Sequence, residues 1–439
     1  MEKLFSPLIS LMCERQVRIV FCGSVALILY LLAPSVSLAE DSKLRPLGLR
    51  QAMQLSIASH PLIAVKKQQL QVAIGELSAA RWAVFPNAGF SFRGFRDDDE
   101  QNNLNQEVLT VSQPIWTGGR LSGTIGAAKA KRDAAKLAII EVEQTLLADT
   151  VRAFIEVHRA ESKVDISTSN VEEHERLSDI IKRRVDAATS PEVDLRLAKA
   201  RLAFSKSQLL RNANALEVAK AELEQLIGRA VHRVAAPIRA DLTNLNLIQA
   251  ERLALSFSPA IRRVQTEVIG LEALDKVSRS ALHPQVSLGY EKRFGDLSVN
   301  QDDEQYFLGL DFQPGAGLSS RASIIASAAN REALKASLIA LEREISREVK
   351  IAWREYAGAE MQLSPTELLV NSTSDVVRSY LRQYTVGRKS WLDVLNAQRE
   401  LVQAQQALTD HQAMLIMASY RMKILIGKLN SDSVAVQSE

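Results

Sequence analysis

The chain has 439 residues, 54 of them Lys or Arg and 51 Asp or Glu, for a formal net charge of +3. That balance gives no electrostatic reason to invoke nucleic acid. Aromatic residues make up only 5%, and the richness in Ala, Leu, Gln, Glu, Lys and Arg is the composition of long helices and coiled coils.

The first element is a secretory signal. Lys3, Arg15 and Arg18 precede an apolar run from Ile19 to Ala33, and Ser37-Leu38-Ala39 is a small-x-small cleavage site. Residues 1–39 are therefore expected to be removed, with Glu40 first in the mature chain. A retained anchor is the alternative, against which the apolar run is short for a span of roughly 20 residues. Both cysteines, Cys13 and Cys22, fall inside this segment. The mature chain then has no disulfide, thiolate metal site or cysteine nucleophile. Neither cysteine has a lipobox-like context, and no later stretch approaches a membrane helix. The remaining places are the periplasm, the exterior, or an outer membrane entered through β-strands.

Residues 47–82 read as a helix that His60-Pro61 should interrupt, because proline lacks a donor and restricts its predecessor. Two strands are predicted at about 87–96 and 104–113, flanking the acidic turn 97–103, with Gln113-Pro114 breaking the second. From about 120 to 186 the chain is helical, on the order of 100 Å long at 1.5 Å per residue. Ala187 to Pro191 makes a turn, with Ser190 as N-cap and Pro191 as first helical residue. The returning helix runs to Ile227, with Gly228 as its C-cap.

The second half repeats this plan. It has a helix over 244–281 with Pro259 near its start, strands near 285–294 and 305–313, and an acidic turn from Gly295 to Glu304. A long helix follows from about 318 to 385, then a turn around Gly387 and a helix over 391–427. Leu226-Ile227-Gly228 answers Leu425-Ile426-Gly427, and Ser258-Pro259 answers His60-Pro61. A repeat of this length is a duplicated, domain-sized unit. The expected divisions are 1–39, 40–243, 244–429 and a polar tail, 430–439. Both returning helices carry a heptad seam. One runs Leu195, Ala198, Leu202, Ser205, Leu209, Asn212, Leu216, and the other Val394, Ala397, Leu401, Ala404, Leu408, His411, Leu415. A sustained 3.5-residue period means helices winding about partners. Asn212 and His411 are expected to be a polar layer or register device.

Tyr306, Leu308, Leu310 and Phe312 alternate with Phe307, Gly309, Asp311 and Gln313. This suits either a lipid-facing barrel or a half-buried soluble sheet. Four strands cannot close a barrel, and an open edge is not tolerated in lipid. A membrane sheet would need other copies, and three would supply about twelve strands.

The chain resembles the TolC-like outer-membrane efflux family over essentially all of its mature length. The resemblance rests on the duplicated helix–hairpin–helix plan, on Gln113-Pro114-Ile115-Trp116-Thr117-Gly118-Gly119-Arg120, and on the run from Tyr384 to Gln398 around Trp391-Leu392-Asp393-Val394-Leu395. It implies a mainly α fold with a small β part: a duplicated helix–β-hairpin–helix repeat whose long helices form an α-barrel, with four strands per protomer in a shared trimeric twelve-stranded β-barrel. It also implies a homotrimer in outer-membrane lipid with a long periplasmic extension. Its partners would be a periplasmic adaptor and an inner-membrane ABC transporter or other pump. The turns at 186–191 and 386–391 would lie at the periplasmic tip. There Asp393 matches an acidic constriction, Asn396 replaces a second acidic position, Tyr384 and Asp194 match tip-closing links, and Lys389 stands where an Arg is found. The first repeat has Ala188 and Pro191 in place of the usual turn glycine.

No catalytic constellation is visible. The six histidines show no metal spacing, Gly118-Gly119 lacks a following phosphate-loop Lys, and Asp97 to Asp99 lack an EF-hand's spacing. The expectation is no enzyme, no cofactor and no metal. The absent lipobox, and the likeness of the Trp391 to Glu400 run to the subgroup that exports large surface adhesins, imply a passive export duct for type I protein secretion, adhesins included. Multidrug or small-molecule efflux is the alternative. A periplasmic coiled-coil adaptor or scaffold is the alternative of another class.

Overall fold

The computed structural model describes residues 46–95, 104–242, 245–295, 302–431 and 433. The expected signal segment, the turn 97–103, most of the turn 295–304 and nearly all of the polar tail lie outside them. The first repeat comprises α1 (Leu49–Ser59), α2 (Pro61–Trp82), β1 (Asn87–Phe95), β2 (Leu104–Trp116), α3 (Arg120–Asp186) and α4 (Glu192–Ile227). The second comprises α5 (Leu247–Phe257), α6 (Pro259–Ser280), β3 (Gln285–Gly295), β4 (Glu304–Asp311), a single 3₁₀ turn (Ala316–Leu318), α7 (Ser319–Thr385) and α8 (Trp391–Leu425).

Local chemistry sets the breaks. The span at 47–82 is divided at His60-Pro61, as expected, and the helix expected over 244–281 is likewise divided, at Ser258-Pro259. His60 and Ser258 turn from obstacle to cap, accepting from the N–H groups of Leu62 and Ile261, while each proline takes the first helical position, where its missing donor costs nothing. The turn after α3 departs from expectation. Pro191 itself is the N-cap of α4, and Ser190 lies outside, donating to Asp194 Oδ2 at 3.1 Å. Pro365 is carried inside α7. It sits between Ala359 and Val377, a stretch of the helix with no fully buried residue.

The four strands form one antiparallel sheet in the order β1-β2-β3-β4. Contrary to expectation, β2 does not stop at Gln113-Pro114 but reaches Trp116, with a register shift between Pro114 and Trp116. A bulge is where a strand can absorb a residue that has no N–H. The register also resolves the weak alternation of β2. Leu109 and Val111 pair with Phe90 and Ala88 on one side and with Lys292 and Tyr290 on the other. They therefore share a face with Leu288, Tyr306, Leu308 and Leu310. That face is bare: Tyr306 is 75% exposed, Leu308 72% and Phe90 65%. The opposite face carries Ser287, Glu291, Ser112, Thr110 and Asp311. On it, the Phe307 ring covers Gly289, where any Cβ would collide with it. Among the described residues, β1 and β4 each have one edge unpaired.

Beyond the sheet, α3 is the mast. α2 and α6 pack on it towards the strands, α4 and α8 farther away, and α7 is flanked in turn by α6 and α8. Asp275 of α6 is buried and accepts from Ser327 and Arg331 of α7. The apolar core lies midway, where the ends of α4 and α8 and the short helices meet α3 and α7. One cluster joins Met53, Phe154, Ile155, Leu223 and Ile227. The other joins Ala254, Ile261, Val349 and Met422. A short parallel bridge, Leu47 to Val234, closes the first repeat there. The heptad seams face inward as the period requires: Ala198, Ser205, Ala219 and Leu223 are buried on α4, and Val394, Ala397, Ala404 and Leu415 on α8. Asn212 is a polar layer, donating to Ser167 Oγ at 2.5 Å and to Lys163 O at 3.4 Å across the α3–α4 seam.

The two hairpin turns solve one problem with different residues. Gly387 has φ +76° with open space around it, and Ala188 adopts φ +54°, a left-handed conformation that costs a Cβ-bearing residue roughly 1–2 kcal/mol. Ala188→Gly is expected to stabilise the first turn by about 1 kcal/mol and Gly387→Ala to destabilise the second by a similar amount. Hydrogen exchange of the two hairpin ends reads both, and slower opening only in Ala188→Gly is the expected pattern.

Candidate gate at the joined hairpin ends

The two long hairpins meet at their far ends around one apolar cluster. Leu177 and Ile181 of α3 and Ala198 of α4 pack against Tyr384, Trp391, Val394 and Leu395 of the second hairpin. The Tyr384 and Trp391 rings lie 5.6 Å apart between centroids. Arg184 of the first hairpin stacks its guanidinium 4.7 Å from the Tyr384 ring centre and donates through Nη1 to the Tyr384 carbonyl at 3.3 Å. This cation–π contact with a buried ring ties the two hairpin ends together. Sequence reasoning missed it. Its one trace was the cluster of basic residues in the last turn of α3, which a helix C-terminus favours anyway.

The five residues expected at the constriction are all near this end, but the chain does not join them to one another as links. Asp393 is the third residue of α8 and closes a capping box. Its Oδ2 accepts from the Ser390 N–H at 3.1 Å and from Ser390 Oγ at 2.8 Å, while its own N–H donates to Ser390 Oγ at 3.2 Å. The Ser390 hydroxyl, the Ser390 N–H and, less strongly, the Lys389 charge hold the Asp393 carboxyl below its ordinary value. Asp194 occupies the corresponding place on α4 and takes only the Ser190 hydroxyl. Lys389 sets its ammonium 4.3 Å from the centre of the Tyr380 ring rather than against Asp194. Asn396, one turn beyond Asp393, is half-buried and makes no side-chain hydrogen bond among the described residues.

Tyr384 is buried, yet among the described residues its hydroxyl, near Ser190 and Arg184, makes no well-formed hydrogen bond, and the Trp391 indole N–H beside it has no partner. Burial pushes the Tyr384 phenol above its ordinary value, against the opposing charge of Arg184. Two orphaned donors in one cluster cost about 1–3 kcal/mol each, so this packing is held by its apolar contacts at the expense of its polar atoms. Farther from the tip, Asp410 of α8 bridges α3, accepting from Arg159 Nη1 at 2.8 Å and Lys163 Nζ at 2.7 Å. Burial would raise this carboxyl, but the two cations outweigh it and leave it below its ordinary value.

This geometry is that of a helical shaft carrying a sheet at one end and a joined pair of turns at the other, and it repeats twice in the sequence. The profile of the outer membrane efflux protein family matches residues 52–229 and again 251–428. The chain belongs to the outer membrane efflux protein family. Cobalt-zinc-cadmium resistance protein CzcC of Cupriavidus metallidurans is 26% identical over 375 residues, covering 82% of this chain and 85% of that protein. Outer membrane efflux protein BepC of Brucella suis biovar 1 is 21% identical over 382 residues, covering 85% and 82%. The crystal structure of the outer membrane protein VceC from Vibrio cholerae superposes with a TM-score of 0.76 at 14% identity, covering 86% of this chain and 96% of that one. The family's channels have the same helical and β-barrel architecture, so the mainly α, duplicated fold read from the sequence stands. Among the described residues no helix is long and apolar enough to cross a membrane.

Because the folded carboxyl of Asp393 lies below its unfolded value, its contribution to stability is fully present above that unfolded value, about 3.9. It is lost as pH falls through the lower, folded value. Ser390→Ala should move the Asp393 carboxyl back towards the ordinary value and cost about 1 kcal/mol from the lost cap. Thermal unfolding scanned from pH 6 to pH 3 should show a shallower acid-side decline for the variant than for the parent.

Proposed function

We propose that this protein is the outer-membrane duct of a tripartite export assembly, passive in itself and driven by an inner-membrane pump reached through a periplasmic adaptor. The observation that carries the reading is the sheet: one bare apolar face, one polar face and two unpaired edges, borne on helices 67 residues long. Such a sheet is unstable alone in lipid and becomes stable when other copies continue it. Three copies make a twelve-stranded barrel with polar residues inside, and the helices continue as a periplasmic tunnel. A periplasmic adaptor or scaffold would have no use for this bare face.

The hairpin ends then form the constriction, with Tyr384, Asp194 and Lys389 set around Asp393 and Asn396. Carboxylates repeated about an axis repel one another, favour cations and penalise anions. Asp393→Asn keeps a capping side chain yet removes one charge per copy. In planar bilayers the variant should lose cation-over-anion selectivity, read as a shifted reversal potential under a KCl gradient. An unshifted potential would reduce Asp393 to its capping role.

For cargo, small solutes are the better-supported reading. The relatives include a cobalt-zinc-cadmium resistance protein, an efflux protein and a pyoverdine export protein. Type I secretion of a protein, a large surface adhesin included, is the second reading and rests on the Trp391 to Glu400 run. A clean deletion in the source bacterium separates them. Hypersensitivity to divalent transition metals or to drugs, with an unchanged set of secreted and surface proteins, is the expected result. Loss of one large secreted protein with unchanged tolerance would reverse the preference.

A further inference from the structure

One cross-section of the shaft gathers residues of unlike kinds. Pro365 lies 20 residues before the end of α7 at Thr385, and His411 lies 20 after the start of α8 at Trp391. In the first hairpin Asn212 lies 20 residues after the start of α4 at Glu192, and Ser167 lies 19 before the end of α3 at Asp186. All four therefore stand about 30 Å from their turns at 1.5 Å per residue. The first hairpin is bolted at this level, where Asn212 donates to Ser167 Oγ at 2.5 Å and to Lys163 O at 3.4 Å. α3 also buries residues on either side of it, Ala160 and Val171. The second hairpin has no such bolt. His411 is half-buried on its seam and makes no side-chain hydrogen bond among the described residues. Level with it, Pro365 takes a donor out of α7 and leaves the Met361 carbonyl without its helical partner. Thr366 then donates back to the Gln362 carbonyl at 2.7 Å, a second disturbance of the same turn. Beside His411, Asp410 pins α8 to Arg159 and Lys163 of α3.

We propose that this cross-section is a joint: α7 bends at Pro365 while α8 turns about the Asp410 pin, and the end of the second hairpin moves against a first hairpin held straight. Resting on the duct reading for its use, this names the level at which the far end of the duct bends. A register device explains Asn212 but not the rest. Polar layers fix register by pairing across a seam, and His411 pairs with nothing across its own. Sharp bends in long helices occur at proline, and the freed carbonyl costs least where water reaches it; Met361 is 79% exposed. Between Ala359 and Val377 α7 buries no residue fully, so a bend there disturbs no close packing of its own. The Asp410 pin survives such a turn, because the long, flexible Lys163 side chain can follow the carboxylate. Interlocked apolar side chains could not.

The test is the distance between spin labels on the two hairpin ends, at Val193→Cys and Val386→Cys, both exposed positions. It uses the full-length protein in detergent, with labelled chains diluted in unlabelled ones. A working joint spreads this distance. Pro365→Ala restores the missing donor, so it should fold and narrow the distribution at least twofold, whereas Gln362→Ala, an exposed change in the same turn, should leave the width as it is. Asp410→Asn keeps the shape of the side chain but weakens the pin, and should broaden the distribution. A parent with one narrow distance, an unchanged width in Pro365→Ala, or equal narrowing by Gln362→Ala overturns the proposal, and an unchanged width in Asp410→Asn removes the pin from it. Conductance in planar bilayers keeps the two readings apart. A parent that conducts nothing overturns the duct reading and leaves the distances to decide the joint, whereas a conducting parent whose width Pro365→Ala does not alter overturns the joint alone.

Discussion

Backbone polar groups in hydrocarbon must all be paired, and the described residues leave the outer edges of β1 and β4 unpaired. Everything else follows from how that debt is met. Antiparallel pairing of β1 with β2 and of β3 with β4 satisfies the inner strands, and β2 with β3 joins the two repeats into one sheet. The outer edges are left for neighbouring chains, which is what the proposed trimer would supply. The bulge at Pro114–Trp116 sits where the strand hands over to the mast helix. It places a residue without an N–H where the ladder is ending and increases local twist.

The elements were legible in the sequence wherever periodicity was long. Heptad spacing found both returning helices and the polar layer at Asn212, and alternation found β3 and β4. Legibility failed at proline, which has two opposite meanings. Pro61 and Pro259 begin helices and Pro191 caps one, whereas Pro114 sits within a strand and Pro365 within a helix. Composition around a proline does not say which neighbours supply the compensating contacts. β2 was obscured because its apolar face also carries Glu107 and Gln113, while Val108 points to the polar side, so alternation blurred until the cross-strand register was known.

At the hairpin ends the sequence located the residues but not their bonds. Asp393 was visible as a motif residue at a helix start, and the capping box with Ser390 follows from that position. The contact between Arg184 and Tyr384 was not legible, because it links residues 200 positions apart and depends on the relative rotation of two long hairpins. No local pattern encodes that rotation. Lys389 likewise turned to Tyr380, a partner on its own hairpin, over a carboxylate on the other.

The packing along the shaft is uneven in a way that bears on movement. Between the midway core and the tip cluster, α3 and α8 are tied by polar groups, with Arg159 and Lys163 on Asp410 and Gln398 near Asn170. Over the same region α7 carries Pro365 and no fully buried residue. Polar ties of this exposure contribute on the order of 1 kcal/mol or less each, while apolar clusters resist shear because close-packed side chains have few alternative arrangements. The stretch between, where only small buried residues such as Val171 and Ala404 pack, therefore lies between two larger apolar clusters. A displacement of the tip cluster would be absorbed there, leaving the midway core and the sheet unstrained. The orphaned Tyr384 hydroxyl and Trp391 N–H lower the cost of leaving the observed packing, since any arrangement that wets them recovers part of their desolvation. In the proposed duct, a tip with unsatisfied donors above a shaft tied in part by polar groups is the part least held to one packing, while the sheet is held by its ladder.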